Sequence, residues 1–493
     1  MRATTHRLRT GAVVAILLAI LLAVIPPPRS SPHGVPISAS LQPVAWPPSS
    51  LETTSSLPLL FSTTSSDAIG RLPCLRSWSN FSHLARRSVR FTAWTQPRRA
   101  ARAEFTLARG REAEFAASQI VQTTNLTMEE FWVRATADSA GELVYHSAPV
   151  SSWEDAALTE EVDGALDLLA VNDAPSDTNA DEWPASSGPI AWMGSAGVVA
   201  TPHYDKSLNL VLQVAGSKRW MLWAPDQLDT GALLMHPTAH PSRRQVRTPL
   251  LGPSAASRLS ESPAIEATVH PGQLLFVPPF WTHAVEALTP SLSLSVLSPS
   301  WTEAVGSRLT WPGLPFGRVG SAGVEQRVAA VVWYLRALLP AMAPLMQPVA
   351  DASPPSVSTY AERLHAARHA SLHTIGSGLA EADAATTAST TVASDDDRHA
   401  WRGAGCATLQ QAAWPEAGGP LPTHAELTAA VEQVVRHASR SEDTRTSDGR
   451  TSSKRLPRPV VRALMSDYVE SVAAWAVGVD GVGALLRELG RCQ

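Results

Sequence analysis

Lysine is almost missing from this 493-residue chain: of 40 lysines and arginines only Lys206, Lys218 and Lys454 are lysine. Each therefore stands against a background that uses arginine for positive charge. Cysteine is scarce as well. Cys74, Cys406 and Cys492 are too few and too scattered for a disulfide framework or a thiolate zinc site, and allow at most one bridge and one free thiol. An excess of positive charge is also absent, and a net charge of −4 speaks against a dedicated nucleic-acid binder. Mean hydropathy of −0.03 excludes a polytopic membrane protein. The length leaves room for about three domains and a substantial core, so smallness demands no covalent staples.

The chain opens with Arg2, Arg7 and Arg9 and no acid, then runs almost purely aliphatic from Gly11 to Ile25 before three prolines. That run is shorter than the roughly 20 residues that cross a bilayer comfortably. Residues 1–28 are thus expected to be a secretory signal peptide or a signal-anchor, with residues 11–25 as the membrane anchor in the second case. Residues 29–103 are rich in Ser, Thr, Pro and Arg, with Glu52 and Asp67 as the acids, and predict a disordered stalk. The expected location is the secretory pathway, in the ER or Golgi lumen. A signal followed by an organelle transit sequence is the alternative, because that composition suits both.

An amphipathic helix is expected at 127–134 and a strand at 142–145, followed by an acidic, Ser/Pro-rich linker at 172–189. From Pro189 to Trp301 the pattern changes to short strands punctuated by Gly, Pro and Asp, at 190–193, 198–204, 208–214, 219–223, 273–277, 284–288 and 292–297. Such a series implies a β-sandwich or barrel. Three-and-four spacing then predicts helices at 324–345, 356–379, 424–437 and 460–489, with low-complexity polar insertions at 384–397 and 438–454. The domains read as a catalytic unit at 104–305 and an α-helical region at 306–493 with disordered insertions, suited to packing or to a homodimer through its helices.

The residues able to carry chemistry sit in the strand-rich part. In Thr201-Pro202-His203-Tyr204-Asp205, strand alternation puts an imidazole and a carboxylate side by side. Such a pair arises easily by chance. What raises it is the segment from Pro271-Gly272 through Pro278-Pro279-Phe280-Trp281-Thr282-His283, in which a turn, a buried strand and a proline break can aim a third ligand back into a barrel mouth. Two His and one carboxylate form the facial triad of non-haem Fe(II) oxygenases, which leaves three coordination positions open. Zinc is the alternative metal. Lys218, where one strand turns into the next, is the one lysine placed to put a compact ammonium into a narrow cavity. Trp192, Trp220, Trp223 and Trp281 either line the mouth or pack the core.

Residues 190–301 resemble a JmjC domain of the cupin-like 2-oxoglutarate-dependent oxygenases, most closely the hydroxylase branch. The matching text is Trp192-Met193-Gly194, His203-Tyr204-Asp205, Asn209, Gln213 through Trp220, Pro225-Asp226-Gln227 and Pro271 through His283. The resemblance implies a mainly β double-stranded β-helix (jelly-roll, cupin) core followed by the α-helical C-terminal region. It implies Fe(II) on His203, Asp205 and His283, and Lys218 against the distal carboxylate of 2-oxoglutarate. Tyr145 would reach the same carboxylate, with Thr201 and Asn209 as further cosubstrate-side groups. O₂ would be the second cosubstrate, and a protein side chain or small molecule the substrate.

Departures from the family pattern sit on the cosubstrate side. Ala200 stands where a hydroxyl is common, Gln273 replaces an Asp in the turn, Thr282 replaces an aromatic, and a polar Asn late in the last strand is missing. A barrel that has lost turnover and serves as an anchored binding module is therefore the alternative function. Lysine demethylation ranks below it, since the chain carries no chromatin-reading module.

Overall fold

The computed structural model describes residues 29–30, 36–45, 57–63, 69–97, 103–105, 122–137, 141–170, 185–229, 233–240, 242–247, 262–310, 323–346, 356–369, 423–445 and 451–491. The expected signal or anchor, most of the acidic linker and the insertion at 384–397 lie outside these residues.

Two sheets face each other. The first contains, in spatial order, β1 (Arg29–Ser30), β2 (Pro36–Ser40), β13 (Ala264–Val269), β12 (Lys218–Trp223), β15 (Thr282–Ala287), β10 (Val198–Tyr204) and β6 (Ala103–Phe105). The second contains β3 (Val44–Ala45), β4 (Leu59–Ser62), β14 (Gln273–Val277), β11 (Leu208–Ala215), β16 (Ser291–Ser298), β9 (Ile190–Gly194), β8 (Glu142–Pro149), β5 (Arg90–Pro97) and β7 (Gln122–Thr127). This is the expected cupin core, a β-sandwich with a strand-lined interior.

The strands read as near-continuous apolar runs because both sheet faces are covered. All eight residues of β11 are buried. Leu208, Leu210, Leu212 and Val214 point outward and pack, with Leu292, Leu294 and Val296 of β16, against α1 (Pro73–Ser77), α2 (Phe81–Ala85), α3 (Met128–Thr136) and α4 (Ala156–Leu169). Val211 points inward, joining Leu60, Trp220, Leu222, Leu275, Val277 and Trp281 between the sheets. The first sheet turns Tyr204, Met221, Trp223 and Ala284 outward against the C-terminal helices, α5 (Trp301–Thr310), α6 (Val324–Met346), α7 (Val357–Arg368), α8 (His424–Ala438), α9 (Arg458–Val477) and α10 (Val482–Arg491).

The expected stalk at 29–103 needs correction. Its composition is polar and acid-poor, but Phe61, Leu72, Cys74, Trp78, Leu84, Phe91 and Ala93 sit at the right intervals to be buried, and β4 and β5 pair with β14 and β8 inside the sandwich. A few apolar residues at strand spacing outweigh a polar average. The boundary at 103/104 therefore cuts through one unit. Two further corrections concern the tail. Ser441–Arg445 and Thr451–Arg455 pair as the antiparallel strands β17 and β18 within the expected polar insertion. The single helix expected at 460–489 breaks at Gly478, whose φ of 73° is left-handed, giving α9 and α10. α6 is long and apolar enough to cross a membrane, with mean hydropathy 1.6, yet 56% of that stretch is buried against the fold, as for a core helix.

Candidate metal centre

β10 and β15 are antiparallel neighbours, and their register sets His203 directly opposite His283. The two imidazole centroids lie 4.4 Å apart. Asp205 follows the end of β10 and is pinned there, because its carbonyl accepts the amide of Phe280 at 2.7 Å. Phe280 itself takes a φ of 64° after Pro278-Pro279, with the Trp281 amide closing the turn on the Pro278 carbonyl at 3.4 Å. That turn swings β15 back so that His283 Nε2 comes within 3.8 Å of an Asp205 carboxylate oxygen. The three donor atoms lie within 4.8 Å of one another, the one such cluster of His, Cys, Asp or Glu found among the described residues.

Each imidazole is oriented from behind. His203 Nδ1 lies 2.7 Å from the Thr201 carbonyl and His283 Nδ1 lies 3.0 Å from the Trp281 carbonyl. A carbonyl only accepts, so Nδ1 carries the proton and the lone pair is left on Nε2, the atom a metal takes. Burial, then the neighbouring His203, hold His283 down at a pKa of about 4, against a smaller opposing pull from Asp205. It is neutral and able to ligate near pH 7. Two imidazole nitrogens and one carboxylate in a partly apolar pocket match the donor set of Fe(II) in the facial-triad oxygenases.

A second cluster lies in the same interior. On β12, Lys218, Trp220 and Leu222 alternate inward while Arg219, Met221 and Trp223 point out. Lys218 is 6% exposed; its ammonium donates to Ser293 Oγ at 2.6 Å and to the Trp192 carbonyl at 3.1 Å. No carboxylate pairs with it among the described residues, and burial alone pushes its pKa down to about 7. An unpaired buried ammonium is costly unless a ligand anion meets it. Trp192 donates in turn to Ser295 Oγ at 2.7 Å.

Tyr145 is buried beside Trp94, Phe105, Val198 and Trp192, and desolvation raises its phenol pKa. Asn209 lies on β11, with its side-chain oxygen buried and without a donor among the described residues.

Thr201 goes elsewhere. The ladder between β10 and β15 shifts register between Ala200 and His203, and the Thr201 hydroxyl donates to the Phe105 carbonyl of β6 at 3.2 Å. A residue read as cosubstrate-facing is thereby committed to a neighbouring strand, because the irregularity at Pro202 cancels simple alternation. Gln273, read as a weaker turn cap, does cap: its side-chain oxygen accepts the His270 amide at 2.9 Å.

Sequence reasoning missed Ser293 and Ser295 as polar lining, although their alternation with Leu292, Leu294 and Val296 is the signal: small hydroxyls on a strand buried at all but Leu297 are out of place in a packed core. It also missed the paired segments 233–240 and 242–247, which join β10 beyond its pairing with β6 through a bridge between Gln245 and His203 and through Val246 N to the Pro202 carbonyl at 2.8 Å.

Jumonji C domain-containing protein 5 of Drosophila melanogaster is 36% identical over 106 residues, 21% of this chain and 26% of that protein. Human HSPB1-associated protein 1 is 38% identical over 120 residues, 23% of each chain. Lysine-specific demethylase JMJ30 of Arabidopsis thaliana is 31% identical over 105 residues, 21% of this chain and 24% of that one. These matches span about a quarter of the relatives' own length. A solved structure of E. coli ycfD aligns at 16% identity and a TM-score of 0.26, over 51% of this chain and 53% of that one, too slight a likeness to bear on function. A model of the cupin-like domain family matches residues 56–302, half of the sequence, which takes in β4 through β16 and with them His203, Asp205 and His283; the chain belongs to the cupin-like, JmjC-type domain family.

Proposed function

We propose that this protein is an Fe(II)- and 2-oxoglutarate-dependent oxygenase that hydroxylates a protein side chain or a small molecule. The observation that carries the reading is the pairing of the His203–Asp205–His283 cluster with a buried, anion-less Lys218 in the same strand-lined interior. When bound, Fe(II) with 2-oxoglutarate and O₂ supplies the oxidant for a C–H bond, with succinate and CO₂ as coproducts.

His203 and His283 would hold the metal through Nε2, their rings fixed by the Thr201 and Trp281 carbonyls. Asp205 contributes the charge that makes a dication welcome in the pocket. Lys218 would accept the distal carboxylate of the cosubstrate, and its Ser293 and Trp192 contacts aim the ammonium before anything binds. Val211, Leu275, Val277 and Trp281 line the rest with apolar surface and exclude water from the reacting groups.

The experiment is metal analysis with a 2-oxoglutarate turnover assay. The wild-type protein is expected to retain about one iron and release succinate, and His203→Ala and Asp205→Ala to lose both by at least about 100-fold. A binding module without turnover, the reading that Thr201's diversion to Phe105 favours, would make no succinate with any candidate substrate. Gain of one oxygen on a substrate marks hydroxylation, whereas formaldehyde release marks the demethylation that the name of the Arabidopsis relative carries.

A further inference from the structure

Trp220 has a buried indole N–H that meets no acceptor among the described residues. The residue is 5% exposed, its Nε1 has no hydrogen-bond partner among the described residues, and its ring lies 5.4 Å from the His283 imidazole. Elsewhere the buried or half-buried indoles of Trp78, Trp153, Trp192 and Trp223 each donate to an acceptor, Trp192 to Ser295 Oγ in the same interior, whereas Trp132, outside the sandwich interior, does not. An unsatisfied buried donor is destabilising, and native interiors rarely keep one without a use.

Its position suggests the use. Lys218 and Trp220 are two residues apart on one face of β12, about 6–7 Å along the strand, with Trp220 on the side toward the metal ligands. That is close to the distance between the two ends of a five-carbon diacid. A ligand whose far carboxylate meets Lys218 would bring its near end beside the Trp220 N–H.

We infer that Trp220 Nε1–H is a cosubstrate-binding donor that recognises the metal-chelating carboxylate of the 2-oxo acid, while Lys218 recognises the distal one. The inference rests on the oxygenase reading and deepens it. A neutral donor on the chelating carboxylate fixes which oxygen turns toward the metal, without adding a second charge to a cavity that already holds an ammonium.

Calorimetric titration of full-length protein loaded with Mn(II), which binds without turnover, tests it with two ligands. 2-Oxoglutarate has both ends; pyruvate has only the chelating end. Trp220→Phe keeps an aromatic ring against His283 and removes the N–H. It is expected to leave Mn(II) affinity unchanged and to weaken 2-oxoglutarate and pyruvate by the same factor, about tenfold. Lys218→Met is expected to weaken 2-oxoglutarate alone. In the wild-type protein loaded with Zn(II), one indole N–H resonance, the one absent from Trp220→Phe, should move downfield on adding either ligand.

Equal affinities for Trp220→Phe and wild type, loss confined to 2-oxoglutarate, or an unmoved indole resonance each overturn the assignment. If wild-type protein retains Mn(II) but takes up no 2-oxoglutarate, the oxygenase reading fails and the role of Trp220 fails with it.

Discussion

At the scale of single residues, Lys218 links the interior's chemistry to its stability. The ordinary pKa of a lysine is 10.5, and burial brings this one down to about 7. Between those values the unfolded chain holds a proton that the folded chain has released. Stability therefore rises with pH across that window and is lost as pH falls through it toward 7, by an amount on the order of several kcal/mol. Lys218→Met is expected to flatten this slope in urea titrations run from pH 7 to pH 10. An unchanged slope would mean that the ammonium is solvated. Since a bound carboxylate would restore the charged form, binding of 2-oxoglutarate near pH 8 should also take up a proton, seen as a dependence of the calorimetric heat on the buffer's ionisation enthalpy.

Among elements, the turn between β11 and β12 decides where Lys218 starts. Gly216 has a φ of 66°, and a Cβ there would come within 2.1 Å of the Pro290 carbonyl oxygen, which no side-chain adjustment relieves. Ser217 N donates to Thr289 Oγ1 at 2.9 Å, so the turn is also held from the β15–β16 side. Gly216→Ala should destabilise the fold by roughly 1–3 kcal/mol and lower cosubstrate affinity through a displaced Lys218. Thermal unfolding with a matched binding titration checks this, and a loss of less than about 0.5 kcal/mol would show that the turn relaxes freely. The strands of this region were legible from alternation and turn residues, β10 and β14 to the residue. β13 was not, because Ala264–Val269 mixes Glu and Thr into a short run and is a strand only because β12 and β2 flank it.

For the molecule as a whole, the C-terminal helices are tied to the strand that carries His203. Arg368, 1% exposed at the end of α7, donates to Asp229 at 2.6 Å and to Asp467 and Glu470 of α9 at 2.8 and 3.2 Å. Glu470 accepts the Thr238 amide at 2.7 Å, and Arg247 donates to the Ala367 carbonyl, so the helices hold Thr238 and Arg247 on either side of Gln245, which bridges to His203 of β10. Removing Arg368 takes away the guanidinium that Asp229, Asp467 and Glu470 share. Arg368→Met should cost about 3–5 kcal/mol in chemical denaturation. Adding Glu470→Gln to Arg368→Met should recover part of that loss by relieving like-charge repulsion, and a purely additive double variant would show that the cluster is not coupled.

By itself the sequence determined the sandwich, its turns, the two His and the Asp, and the solitary lysine, since alternation, proline breaks and ligand chemistry are local properties of neighbouring residues. Tertiary structure alone decided that residues 59–63 and 69–97 pack into the sandwich, that the Thr201 hydroxyl reaches Phe105, that Ser293 receives the lysine and that the Trp220 N–H finds no acceptor among the described residues. Each of those depends on which strand lies beside which and in what register, and a register is settled by contacts between residues tens or hundreds of positions apart.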